Sequence, residues 1–312
     1  MPDPIVAGAG RAGRNEIVVG ADGSAHGLIA VAWAAGEALR RDADLRIVYA
    51  VAPWLFDVPV DPRVGAIREW MHDNGDEVLQ QALAHARERA PGVRVSGEQV
   101  PGQPAEALIR ESGRALMIVV GTHGMGGVAG LLLGSVGLQV VAHASCPAVA
   151  VREEPPMVGE PGIGEPVVGE PVVGEIVVGV DGSENSVEAT AFAFEEASLR
   201  GARLRAVLAW SHGPGDMRPL GFDPDAVHAE AERALAASLA EWRVRFPEVD
   251  VVRDVVRARP VRALSSASDG AELLVVGTRG RGGFAGLVLG SVSHALLHHA
   301  RCPLAVVPHP RA

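Results

Sequence analysis

The strongest constraint on this 312-residue chain is that its pattern is written twice. IVVGADGS at 17–24 returns as IVVGVDGS at 176–183, 159 residues later. GTHGMGGVAGLLLGSV at 121–136 returns as GTRGRGGFAGLVLGSV at 277–292, 156 residues later. SCPAVAV at 145–151 returns as RCPLAVV at 301–307, again 156 residues later. Three landmarks in one order at near-constant spacing mean two copies of one domain, with the small drift absorbed in loops. Each copy is long enough to bury a core without disulfide or metal staples. The expected organisation is an arm at 1–14, a domain at 15–152, a linker at 153–174 and a second domain at 175–309. Residues 152–175 repeat a five-residue unit ending in Gly-Glu, and that Pro/Gly-rich composition favours an extended, poorly packed connection.

Within a copy, short apolar runs alternate with longer amphipathic ones. Strands are expected at 17–19, 45–51, 93–100, 116–120 and 148–151, and helices at 25–41, 63–90, 104–114 and 135–144. The first and fourth runs are almost continuously aliphatic, as strands buried on both faces are. In the first helix Leu28, Val31, Ala32, Ala35 and Leu39 fall on one face. The second copy repeats the strands at 176–178, 204–208, 250–256, 273–276 and 304–307. Parallel strands need helical crossovers, so the expected fold is α/β: two tandem doubly wound, five-stranded parallel-sheet domains of Rossmann-like type.

Composition removes several function classes. The formal charge is −10, whereas a nucleic-acid surface needs a basic footprint, so no nucleic acid is expected as partner. There is no lysine; all 28 basic residues are arginine, which excludes a Walker-type P-loop, Schiff-base chemistry and a lysine general base. Cys146 and Cys302, each in a His-Ala-x-Cys-Pro setting, read as buried structural thiols of a reducing compartment. The uncharged stretch 115–151 is interrupted by seven glycines between Gly121 and Gly137, and its twin carries Arg279, Arg281 and Arg301. No membrane span is therefore expected. Without an apolar leader near the N-terminus, the expected location is cytoplasmic.

Three loops leave the carboxyl edge of the sheet, where open α/β proteins bind ligands. These are the Gly20–Ser24 turn after the first strand, the glycine run 121–127 after the fourth, and Gly134-Ser135 at the start of the fourth helix. Glycines let backbone N–H groups approach phosphate oxygens. Ser135 and Val136 at a helix N-terminus add oriented amides and a hydroxyl, so a polyphosphate can be held without lysine. Asp22 at a strand end can accept hydrogen bonds from a ribose or an adenine edge. A plain helix N-cap also accounts for Ser135, and a turn residue for Asp22. Both copies, however, keep Gly-x2-Gly-x9-Gly-Ser, at 121/124/134–135 and 277/280/290–291. His143, His294, His298 and His299 fall on or beside the fourth helices. The i, i+4 pair His294/His298 has no counterpart in the first copy and reads as a solvated face rather than a metal site.

Taken together, the paired glycine motif, Asp22 and Asp181 in Val-Gly-x-Asp-Gly-Ser settings, and Cys-Pro before the fifth strand resemble the universal stress protein family, specifically its tandem, ATP-binding members. That resemblance implies which residues would hold ATP, with Mg2+ on its phosphates. In the first copy Gly20, Asp22 and Ala50 would face adenine and ribose. Gly121, Thr122, His123, Gly124, Met125, Gly126 and Gly127 would wrap ribose and phosphates, and Gly134, Ser135 and Val136 would hold the terminal phosphates. In the second copy the set is Gly179, Asp181, Ala209, Gly277, Thr278, Arg279, Gly280, Arg281, Gly282, Gly283, Gly290, Ser291 and Val292. Arg279 and Arg281 replace His123 and Met125 and would bind triphosphate more tightly. The family often carries Val where Ala50 and Ala209 stand, and the glycine of Gly102-Gln103-Pro104 becomes alanine in Ala258-Arg259-Pro260.

The resemblance further implies a regulatory stress-response protein that acts through nucleotide occupancy, with unidentified protein partners and a homo-oligomeric, dimeric habit. Fifth strands in the family commonly pair, which would place 148–151 and 304–307 at an interface. No catalytic residue is expected, since no nucleophile–base pair or arginine finger stands out. A weak nucleotide hydrolase or transferase on the same fold, and a nucleotide-free dimerisation module, are the alternatives.

Overall fold

The computed structural model describes residues 15–52, 62–122, 134–152, 174–211, 223–280 and 288–309. The chain forms two compact units, dividing after Gly162. In the first, β1 (Glu16–Gly20), β2 (Asp44–Val51), β3 (Val95–Pro101), β4 (Met117–Gly121) and β5 (Ala148–Val151) make a parallel sheet in the order β3-β2-β1-β4-β5. Its described helices are α1 (Ala25–Arg41), α2 (Pro62–Arg89), α3 (Pro104–Ser112) and α4 (Ser135–His143). α1 packs beside α2, and α3 beside α4, so helix pairs cover the sheet as the doubly wound pattern requires.

The second unit repeats the arrangement. β6 (Glu175–Gly179), β7 (Arg203–Trp210), β8 (Val251–Arg257), β9 (Leu273–Gly277) and β10 (Leu304–Val307) are parallel in the order β8-β7-β6-β9-β10. The helices are α5 (Glu184–Arg200), α6 (Pro224–Arg245), α7 (Pro260–Ala267) and α8 (Ser291–His299), with α5 beside α6 and α7 beside α8.

Local sequence explains these boundaries. Ser24 starts α1 by accepting a 3.0 Å hydrogen bond from the Gly27 amide at its Oγ. Prolines open α3, α6 and α7, where a missing N–H costs nothing. α1 ends on Asp42 at φ 49°, and α5 on its counterpart Gly201 at φ 60°, both left-handed caps. β3 begins at Val95, two residues later than expected, because the turn at Gly92 (φ 100°) runs on through Val93, whose amide bonds back to Ala90 O at 3.3 Å. α3 closes at Ser112 rather than 114, since Gly113 serves as its C-cap.

The core is aliphatic and alanine-rich. Ile17–Val19 of β1 and Ile176–Val178 of β6 are fully buried, as central strands covered on both faces must be. Ala30, Ala34, Ala35 and Ala38 let α1 lie close to the sheet. The second unit adds an aromatic cluster: Phe194, fully buried, stacks on Trp242 at 6.5 Å and Phe246 at 5.8 Å. Cys146 and Cys302 are both buried. Among the described residues no helix is long and apolar enough to cross a membrane.

A charged knot anchors α3 in the first unit. Arg46 on β2, almost wholly buried, pairs with Glu16 at 2.8 Å, Glu98 at 2.9 Å and Glu111 of α3. Burial opposes the charges of Arg46 and Glu111. Their mutual hydrogen bonds, with Glu16 on one side and Arg114 on the other, outweigh it. The guanidinium is thus held above its ordinary value and the Glu111 carboxyl below its own. The second unit has Ala267 in place of Glu111, and Arg205 pairs instead with Asp254 at 2.5 Å and Glu175 at 3.8 Å.

Candidate functional site

In each sheet the strand order reverses between the two central strands, β1 and β4 in the first unit and β6 and β9 in the second. The carboxyl ends of such a pair open a crevice, because their crossover helices leave to opposite faces. All four strands end on glycine: Gly20, Gly121, Gly179 and Gly277.

In the second unit this crevice is a cavity of about 510 Å³, within the range of roughly 300–1,000 Å³ that small-molecule sites occupy. One side is apolar, built by Val180, Val207, Ala209, Pro260, Leu264 and Val276. The other is polar backbone and hydroxyl: Asp181, Ser186, Gly277, Gly280, Gly290, Ser291, Val292 and Ser293, with Gly179 below and Arg279 exposed at the rim. The division suits a ligand with one flat apolar end and one anionic end.

Hydrogen bonds hold the polar side. Asp181 Oδ1 accepts from the Ser183 amide at 2.9 Å and the Ser183 hydroxyl at 2.6 Å, which closes the turn after β6. Thr278, buried, donates its amide to Val307 O at 3.0 Å and accepts from the Gly290 amide at 2.8 Å. That second bond brings the start of α8 back to the end of β9. Ser293 Oγ reinforces it by donating to Gly277 O at 2.7 Å. Gly290 is the N-cap of α8 with no side-chain cap, so the helix entrance at Ser291 and Val292 presents backbone to the cavity.

Close approach explains two of the glycines. A β-carbon on Gly277 would lie 2.7 Å from Asn185 O, and one on Gly280 would collide with Asp181 Oδ2. That space is taken by protein atoms, so packing alone accounts for both glycines; the fit to a nucleotide rests on the apolar wall that faces glycine backbone and a helix entrance across the cavity.

The first unit places its candidates equivalently. Asp22 Oδ1 accepts from the Ser24 amide at 3.0 Å and hydroxyl at 2.6 Å. Gly20 ends β1 under Leu108, and Ala21 donates to Val48 O at 3.0 Å, which ties the Asp22 turn to β2, the strand that carries Ala50. A β-carbon on Gly121 would lie 2.6 Å from His26 O. Thr122 donates to Val151 O at 3.1 Å and accepts from the Gly134 amide at 2.6 Å. Gly134, not Ser135, is the N-cap of α4, so a capping role does not account for Ser135, which with Val136 begins the helix proper. Asp22 does serve as a turn residue, its Oδ1 held by Ser24.

His123, Gly124, Met125, Gly126 and Gly127 of the first unit, and Arg281, Gly282 and Gly283 of the second, lie outside the described residues. Sequence reasoning missed Val180, Ser186, Val207, Pro260, Leu264, Val276 and Ser293 as cavity residues. A period of two along β7 would have paired Val207 with Ala209, and helical spacing would have paired Pro260 with Leu264. Nothing local marks Ser186 or Ser293. His294 and His298 sit edge to face on α8, ring centres 5.3 Å apart. Among the described residues no group of three or more His, Cys, Asp or Glu could hold a metal ion.

Fold and crevice together define a class: an open, doubly wound parallel α/β domain, present twice, with glycine-ended strands at each switch point. The Universal stress protein family model matches residues 13–152 and 173–308. Universal stress protein Rv2623 of Mycobacterium tuberculosis is 40% identical over 297 residues, covering 93% of this chain and 95% of its own length. Universal stress protein Rv2005c of the same organism is 39% identical over 293 residues, 93% of this chain and 96% of its own length. The chain belongs to the universal stress protein family. In fold it is similar to a universal stress protein from Archaeoglobus fulgidus DSM 4304, with a TM-score of 0.65 at 17% identity over 95% of this chain and 96% of that one.

Proposed function

We propose that each unit, 15–152 and 175–309 joined by 153–174, binds one adenine nucleotide at its switch point, and that the protein acts as a cytoplasmic stress-response regulator through nucleotide occupancy. The observation that carries this reading is the cavity of about 510 Å³ in the second unit. Its apolar side, Val180, Val207, Ala209 and Leu264, suits an adenine ring. Asp181 suits a ribose hydroxyl. The glycine-lined backbone and the entrance of α8 suit a phosphate chain, ATP with Mg2+ on its outer oxygens. Gly20, Asp22, Ala50, Gly121, Ser135 and Val136 would hold the equivalent ligand in the first unit. Bound nucleotide orders the loops around it and changes the surface offered to protein partners, whether a second copy in a homodimer or a separate regulator.

The test is to denature freshly purified protein and quantify released nucleotide by chromatography, beside Gly124→Ala/Gly280→Ala and Ser135→Ala/Ser291→Ala double variants. Release is expected to approach one adenine nucleotide per unit in the wild type and to fall in both variants. A wild type that is empty and takes up no added ATP overturns the proposal.

A further inference from the structure

We infer that the two sites are unequal: the second unit carries the tighter, triphosphate-selective site, and Ser293 is the positioning residue that sets it. The inference rests on the nucleotide reading of both units. Ser293 is 4% exposed and lines the cavity; its Oγ donates 2.7 Å to the carbonyl of Gly277. Gly277 ends β9 at the root of the glycine loop, and Ser293 stands in the first turn of α8. The bond therefore adds a second tie, beside that of the Gly290 amide to Thr278 O, between the two backbone segments that a phosphate chain must bridge, whereas the equivalent first-unit segments share the Gly134–Thr122 tie.

The repeat spacing of 156 residues puts Gly137 at the equivalent position in α4. Gly137 has no hydroxyl to offer Gly121, and a glycine in the first turn also loosens the helix. A wall held in place before the ligand arrives loses less freedom on binding, so the second site gains affinity without touching the ligand differently. Arg279 adds charge at the same cavity, where the first copy has His123 in sequence. A guanidinium stays charged at neutral pH and makes charge-assisted bonds to phosphate, so its contribution grows with phosphate number.

The test is isothermal titration of the full chain, stripped of bound nucleotide, with ATP and with AMP. Wild type is expected to show two ATP phases about tenfold apart, as a fixed carbonyl and an added cation together imply, and a smaller separation with AMP. Ser293→Ala is expected to weaken only the tighter phase, about fivefold, and Ser293→Thr, which keeps the donor, to restore it. Gly137→Ser tightens the weaker phase. Arg279→His lowers the ATP-over-AMP preference of the tighter phase alone. Two equal ATP phases in the wild type, or a Ser293→Ala protein that melts normally and keeps both phases, would overturn the inference while leaving the nucleotide reading intact. Failure to take up ATP at either site would sink both.

Discussion

Asp181 Oδ2 occupies the space that a β-carbon on Gly280 would need. The two residues come from different loops, after β6 and after β9, and meet only because those strands are neighbours in the sheet. Gly280→Ala would push aside the end of a short side chain rather than backbone. Melting is expected to stay near the wild-type value, within about 1 kcal/mol of stability. Nucleotide released per chain is expected to fall toward half, one site of two, by the same chromatographic assay.

Gly277→Ala should behave differently. Its new methyl would lie 2.7 Å from the carbonyl of Asn185, a backbone atom in the first turn of α5 that cannot rotate away. The helix must shift, at a cost of about 1–3 kcal/mol. Urea unfolding followed by circular dichroism would show a lower midpoint, and an unchanged midpoint would contradict the close packing.

Glu111 makes stability depend on acid. Burial disfavours its charge, but Arg46 and Arg114 outweigh that and hold its carboxyl below the ordinary value. A carboxylate with a depressed folded pKa contributes stability above its unfolded pKa and loses it as pH falls through the folded one. Glu111→Gln is therefore expected to cost about 1–3 kcal/mol near neutral pH. The gap to wild type should close as the medium is acidified. Denaturant melts at several pH values measure it, and a gap that widens in acid would refute the assignment.

Phe194 carries the aromatic cluster of the second unit. Fully buried against Trp242 and Phe246, it leaves a large void when truncated. Phe194→Ala is expected to cost about 3–5 kcal/mol. Near-ultraviolet circular dichroism of Trp242 should lose intensity in the same variant.

Asp42 ends α1 at φ 49°, whereas Gly201 does the same for α5 at φ 60°. A left-handed backbone strains a residue that has a β-carbon, so Asp42→Gly is expected to raise stability by up to about 1 kcal/mol. Thermal melts of the two chains decide it; a loss in the variant would mean that the carboxylate matters more than the strain.

Much of this was legible from order along the chain. The duplication, the alternation of strands and helices, and the spacing of Gly277, Gly280, Gly290 and Ser291 are properties of sequence order, and periodicity reports them directly. The aliphatic runs also marked the central strands: Ile17–Val19 of β1 and Met117–Val120 of β4 are buried, while Ser96 and Glu98 of β3 are exposed.

The rest belongs to tertiary structure, because a cavity wall is made by elements remote in sequence. Strand order brings Val180 beside Val207, and the pleat turns Val207 and Ala209 toward Leu264 of α7. The Ser293–Gly277 bond exists only because α8 folds back on the end of the strand that precedes it. A plain N-cap role for Ser135 was an alternative that sequence left open, and the helix entrance at Gly134 closes it. Local pattern marked Gly179, Asp181, Gly277, Gly280, Gly290 and Ser291, which the second unit gathers around one cavity. Packing decided which hydroxyls and carbonyls hold that lining in place, since their geometry arises only when both faces of the sheet are covered.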